Sequence, residues 1–244
     1  MPTTATGSAS LDQPDYWWYR ARSELLRTVL EEHMGAPTRA LDVGSADGPS
    51  VGWMHGGHPR FTLDIDPRGL ERGRGVCGSA SALPFKDGAF DLVGAFDVVE
   101  HCPSEVEVMG ELARVLAPGG HLLLSVPAYQ WAWSDHDVRA GHFRRYTLRR
   151  LERAVDAAGL RVDRSTYAFM GVFPLFAADR IRRRLRPPGE PRAQKLDEVG
   201  TATERMLLGL SRVDARLLRR HDLPFGSSVF LAAHKPGTRH GGPA

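Results

Sequence analysis

Short apolar runs of strand character alternate with helix-length stretches along most of this chain, and that alternation constrains the fold more than any other feature. The runs fall at 39–43, 61–65, 75–77, 90–96, 121–126, 160–167 and 228–234. The clearest helix spans 105–116, with Ser104 as its N-cap and Pro118-Gly119-Gly120 closing it. A second spans 147–158, with Thr147 as cap, Leu148, Leu151 and Val155 inward, and Gly159 as the stop. Strands that alternate with helices form βαβ units, so the chain reads as an α/β protein with a mainly parallel sheet. Its 244 residues suffice for one large domain with an insertion.

The expected organisation follows from this pattern. Residues 1–12 are small and polar and read as a disordered tail. Residues 13–35 carry the aromatic cluster Tyr16, Trp17, Trp18 and Tyr19 and then a helix with Leu25, Leu26, Val29 and Leu30 inward, read as an N-terminal helical lid. Packing onto the domain is the competing reading. The main domain covers 36–235, with a helical insertion at about 170–223 before the last strand, and 236–244 is a tail. That insertion holds a linker, RPPGEPR, and an amphipathic helix over about 203–220.

Several classes are disfavoured. The N-terminus lacks the charged start and apolar core of a secretory signal, and no run of about 18 apolar residues occurs. The expected location is the cytoplasm. The two cysteines, Cys77 and Cys102, have no metal-ligand or disulfide spacing, so no metal is expected. A formal charge of +3 is too small to argue for nucleic acid, and none is expected as a partner.

The first strand ends in Leu41-Asp42-Val43-Gly44-Ser45-Ala46-Asp47-Gly48. Glycines at such a turn allow a tight bend and close approach of a ligand to the backbone. The second strand ends in Leu63-Asp64-Ile65-Asp66-Pro67, placing a carboxylate where nucleotide-binding units hold a ribose. Then follow Ser81-Ala82-Leu83-Pro84-Phe85, Phe90-Asp91-Leu92-Val93, Val99-Glu100-His101 and Leu116-Ala117-Pro118-Gly119-Gly120.

This series resembles the class I S-adenosylmethionine-dependent methyltransferases, in particular the group acting on small molecules. The resemblance covers about 36–165 and fits 228–234 as the antiparallel seventh strand. It implies a Rossmann-like seven-stranded sheet of order 3-2-1-4-5-7-6, flanked by helices, with S-adenosyl-L-methionine over the carboxyl ends of the first strands. It also implies roles. Asp42 positions the glycine loop and the methionine amino group. Gly44, Ala46 and Gly48 line the methionine portion, Asp64 holds the ribose, and Ile65 packs on the adenine. Ser79 and Ala80 lie at the adenine edge, and Phe96 and Asp97 close the reactive end.

Two positions depart from the pattern. Ala46 replaces the middle glycine, which is costly if the backbone there needs positive φ. Ser79 stands where an acid often accepts from the adenine amine. An NAD-dependent oxidoreductase is one rival, but the loop G-S-A-D-G is not its phosphate-binding fingerprint, and Asp47 would repel a diphosphate. A non-catalytic cofactor-binding relative is another.

Past the fifth strand, 127–147 concentrates Trp131, Trp133, His136, Asp137, His142, Arg144, Arg145 and Tyr146. Open α/β sheets bind ligands at that edge. The stretch resembles one in methyltransferases near sugar and lipid biosynthesis, implying a small-molecule, sugar or lipid-linked acceptor. His142, His136 and His101 are candidate bases, with Asp137 orienting a histidine or capping a turn. Each histidine has a structural alternative as a loop brace. Trp131, Trp133, Arg145 and Tyr146 are the candidate acceptor contacts. Finally, 167–186 runs from aromatic to arginine-rich, which reads as core and cap or as peripheral membrane contact.

Overall fold

The structure is a computed structural model and describes residues 15–54, 58–184 and 200–237, without the side chains of 46–50, 69, 183 and 184. The expected tail 1–12, the linker at 186–192 and most of the tail 236–244 lie outside the described residues.

Seven strands form one sheet: β1 (Ala40–Val43), β2 (Arg60–Asp64), β3 (Gly75–Cys77), β4 (Phe90–Phe96), β5 (Leu116–Pro127), β6 (Arg161–Ala168) and β7 (Ser228–His234). Their order is β3-β2-β1-β4-β5-β7-β6, the order expected, and only β7 runs antiparallel to its neighbours. The central strands are apolar on both faces because helices cover both. Leu41, Leu92, Val93, Leu122, Leu123, Leu124, Phe230 and Leu231 are all fully buried.

The helices are α1 (Trp17–Leu30), α2 (Glu105–Val115), α3 (Asp135–Ala140), α4 (Leu148–Ala157), α5 (Phe173–Arg184) and α6 (Thr201–Leu218). Ser104 and Thr147 cap α2 and α4 as their sequences predict, accepting from the amides of Glu107 and Arg150. None of the described helices is long and apolar enough to cross a membrane.

Three features differ from expectation. Strand β5 begins at Leu116, not at 121, because the Pro-Gly-Gly turn stays in the ladder with a register shift opposite Phe90 and Leu92. Helix α3 falls in a segment for which no helix was expected. It forms around a reciprocal cap in which Asp137 accepts from the Ser134 amide and its own amide bonds back to Ser134. The third concerns α1, read as a lid with packing onto the domain as the competing reading. Leu25, Leu26, Val29 and Leu30 are fully buried in the common core, and the helix packs against α6 and the turn 45–54. So large an apolar face cannot open without exposing the core, which makes α1 a layer of the domain.

Candidate functional site

Backbone strain marks the carboxyl edge of the sheet. The described non-glycine residues with positive φ are Asp97 (56°) past β4, Tyr129 (61°) past β5 and Phe169 (65°) past β6. Such conformations cost on the order of 1–3 kcal/mol each and concentrate where ligands bind.

The turn after β1 requires glycine. Gly44 has φ +76°, and a β-carbon there would lie 2.4 Å from Val98 Cγ2. Its amide donates to the Leu63 carbonyl at 2.7 Å, tying the turn to β2. Ala46 and Gly48 follow in the 3₁₀ helix Ser45–Met54, whose right-handed backbone suits a residue with a β-carbon. Asp42 is buried on β1 and accepts from Arg60 at 3.3 Å.

Asp64 closes β2, 7% exposed, and accepts from the Asp66 amide at 2.8 Å. Beside it Ile65 stands 79% exposed, an apolar side chain with no core to cover it. Ser79 is exposed past β3, whereas Ala80 is buried in the core. A glycine turn, a strand-end acid and a bare apolar face together fit a nucleoside-bearing cofactor.

At the end of β4, Phe96 turns into the core against Trp53, away from the open edge. Asp97 keeps a partly exposed carboxylate. One oxygen meets Arg22 at 2.8 Å and the other accepts from the Ser125 hydroxyl at 3.0 Å. Arg22 is 1% exposed on the inner face of α1 and also donates to Ser125. Sequence reading missed Arg22, and its signal was a cation on the face otherwise formed by Tyr19, Leu25, Leu26 and Val29.

Beyond this edge Asp137 is fully buried and accepts five hydrogen bonds: from the Ser134 amide and hydroxyl, twice from Arg145 and once from His142. Burial alone would raise its pKa. The bonds from His142 and Arg145 outweigh burial and hold the carboxyl well below the usual range. An ionised carboxylate only accepts, so His142 Nδ1 donates to it at 2.8 Å. In the neutral ring the lone pair then sits on Nε2.

The ring of His101 lies 4.5 Å from that of His142, edge to face, and His136 lies 6.3 Å from it. His101 retains accessible surface, yet desolvation and the His142 ring push its pKa down to about 4, so it is neutral at pH 7. Desolvation likewise lowers His136. Between β4 and the histidines, Glu100 is fully buried, and burial followed by the Asp97 charge raises its pKa. Glu100 was visible in the sequence only as part of a family-like motif.

Two expected acceptor contacts are not presented to a ligand. Arg145 is 5% exposed, with its guanidinium spent on Asp137 (2.7 and 3.1 Å) and the Ala128 carbonyl (3.1 Å). Tyr146 is fully buried in the core. Arg144 is also buried and donates to the carbonyls of Val99 and Pro103. Trp131 stays 38% exposed and stacks on Tyr129, and Trp133 is half-buried.

Residues 41–124 match a family model described as a methyltransferase domain. An uncharacterized methyltransferase of Mycolicibacterium gilvum is 32% identical over 146 residues, 52% of this chain and 54% of the relative. A malonyl-[acyl-carrier protein] O-methyltransferase of Erwinia pyrifoliae is 35% identical over 120 residues, 44% of this chain and 46% of its own length. The chain thus spans about half the length of these two curated relatives. Among solved structures, the N-methyltransferase NodS of Bradyrhizobium japonicum, bound to S-adenosyl-L-homocysteine, shares the fold. Its TM-score is 0.54 at 13% identity, covering 95% of this chain and 94% of NodS.

Proposed function

We propose that this chain, which carries a class I S-adenosylmethionine-dependent methyltransferase domain, moves a methyl group from that cofactor to an oxygen or nitrogen of a small-molecule, sugar or lipid-linked acceptor. The observation that carries the reading is the arrangement along one sheet edge. Gly44, Asp64 and Asp97 end adjacent strands, and the turn that follows Asp97 abuts His142.

When bound, the cofactor supplies an electrophilic methyl group on a sulfonium. The chain's own residues do the rest. Asp64 accepts from the ribose hydroxyls, Ile65 covers the adenine, and the Gly44 turn lets the methionine portion lie on the backbone. Asp97, fixed by Arg22 and Ser125, borders the reactive end. His142 Nε2, aimed by Asp137, is placed to receive the acceptor's proton. An oriented imidazole with a free ring nitrogen suits a displacement in which the acceptor must lose a proton.

Calorimetry with S-adenosyl-L-homocysteine tests the cofactor site. Asp64→Ala should weaken binding by about 1.5–3 kcal/mol, the cost of losing hydrogen bonds to a charged group, or about 10–150-fold. Wild-type affinity in that variant would remove Asp64 from the site. Stronger binding of NADH than of the homocysteine derivative would overturn the cofactor assignment.

A lipid-linked acceptor is favoured by one patch. Tyr167 to Phe169 and Val172 are core, but on α5 Leu175 and Ile181 are 53% and 54% exposed, and nearby Phe225 is 40% exposed. Arg182 is exposed on the same helix. Near an anionic leaflet each basic side chain contributes about 1 kcal/mol, so 167–186 should hold the protein reversibly at a membrane. Sedimentation with anionic vesicles should succeed at low salt and fail at high salt as screening shortens. Failure at low salt, or binding unchanged after Arg182, Arg183 and Arg184 become Gln, would leave the segment as core and cap.

A further inference from the structure

Glu100 is buried in a way its surroundings do not explain. It is 0% exposed, and neither carboxylate oxygen has a hydrogen-bond partner among the described residues. Its own amide lies near without hydrogen-bond geometry. The guanidiniums whose charges reach it, Arg22 and Arg145, are already engaged by Asp97 and Asp137. Proteins seldom bury a carboxylate so, because stripping its water costs several kcal/mol unless a counter-charge replaces it.

Two imidazoles stand where such a charge would be held. One ligand atom from each of Glu100, His101 and His142 lies within 4.8 Å of the others. We propose that these three residues bind a divalent transition-metal ion through two ring nitrogens and one carboxylate oxygen, with its remaining positions open. Histidine ligands usually tie their other ring nitrogen to a carboxylate or a carbonyl, which fixes the lone pair toward the metal. His142 does so here, its Nδ1 donating to Asp137, and the Ala140 carbonyl lies near the His101 ring.

The ligands are also held in place beforehand. Glu100 and His101 belong to a turn at 99–103, and His142 opens the segment beside it. The Phe143 amide donates to the Glu100 carbonyl at 2.7 Å, and Arg144 donates to the carbonyls on either side of that turn, Val99 and Pro103. A site stapled in this way loses little freedom when an ion arrives.

The donor set selects the ion. Two nitrogens and one oxygen suit Mn²⁺, Co²⁺, Fe²⁺ or Zn²⁺, whereas Mg²⁺ and Ca²⁺ favour oxygen-only shells. His101 is the exposed member of the three, so an ion and an acceptor oxygen would enter from its side. That use of the ion, to bind and orient the acceptor oxygen, rests on the methyl-transfer reading, and in it His142 Nε2 serves as a ligand instead of taking the acceptor's proton. Ion binding itself does not rest on that reading.

The test uses the full chain, free of any affinity tag and stripped with chelator, titrated with Co²⁺ and Zn²⁺. One ion per chain is expected by calorimetry, with visible Co²⁺ absorption of a nitrogen-ligated site and a raised melting temperature. Mg²⁺ at the same concentrations should give neither signal. Glu100→Gln and His101→Ala should each abolish the Co²⁺ spectrum. Glu100→Gln should melt no lower than the metal-free parent, since it removes an unmet buried carboxylate without changing shape. Affinity for S-adenosyl-L-homocysteine, measured on the same variants, should stay within a few-fold, which separates loss of this site from loss of the cofactor site. No ion bound, binding unchanged in both variants, or equal binding of Mg²⁺ would overturn the proposal.

Discussion

Arg145→Ala will lower the stability of the fold by about 3–5 kcal/mol, the cost of removing one partner from a buried ion pair. Asp137 is fully buried and Arg145 nearly so, and their two-pronged contact at 2.7 and 3.1 Å is shielded from water. Removing the guanidinium strands an ionised carboxylate with only Ser134 and His142 to meet it, and it also frees the Ala128 carbonyl. Arg20–Glu204 serves as the contrast. At 3.2 Å it is a comparable contact, but its side chains are 50% and 33% exposed, so Arg20→Ala should cost at most about 1 kcal/mol. Urea unfolding of the two variants beside the parent gives the comparison. A loss in Arg145→Ala no larger than in Arg20→Ala would mean that Asp137 finds other partners or is protonated. The pH dependence has a fixed sign. The Asp137 carboxyl is depressed in the fold, so its contribution is fully present above its unfolded pKa of about 4 and is lost as pH falls toward the lower folded value.

Pairs of this kind explain which parts of the molecule could be read in advance. Strand runs, helix faces and the caps at Ser104 and Thr147 are local signals, decided by residues within a turn or two; their alternation gave the mainly parallel sheet, and the strand order came from the family resemblance. The residues proposed for the cofactor edge could be named for the same reason, since Gly44 and Asp64 lie at the ends of their own strands. Arg22 was not, because its partners Asp97 and Ser125 arrive from distant strands and nothing near Arg22 announces them. Arg145 and Tyr146 were assigned to the acceptor because polar and aromatic residues concentrate past the carboxyl end of the fifth strand, where open α/β sheets bind ligands. The loop instead folds inward around Asp137, and the cation that looked available is consumed inside the protein. Glu100 shows the converse: a carboxylate inside an apolar turn looks ordinary in sequence, and only burial without partners makes it chemically conspicuous.

His142→Ala will cut turnover by about 10²–10⁴-fold while leaving affinity for S-adenosyl-L-homocysteine nearly intact, the size and selectivity expected of a group that handles the acceptor's proton. The expectation rests on where the ring is fixed. Asp137 accepts from Nδ1 at 2.8 Å, so Nε2 is the nitrogen left to act, and the ring packs 4.5 Å from His101 at the end of the cofactor edge. Asp137 itself is buried and held by Ser134 and Arg145, so the imidazole is aimed by a carboxylate fixed inside the fold. The comparison that gives the result meaning is His136→Ala, which alters a neighbouring exposed ring that lacks such a bond to Asp137 and should change turnover only a few-fold. Metal content divides the two ways Nε2 can contribute. If the imidazole takes the proton itself, the deficit of His142→Ala persists in chelator-treated enzyme relative to equally treated parent. If it works as a ligand, stripping the ion brings the parent down to the variant and the difference disappears. Turnover within a few-fold of the parent under both conditions would reduce the Asp137–His142 pair to a brace for the segment that carries it.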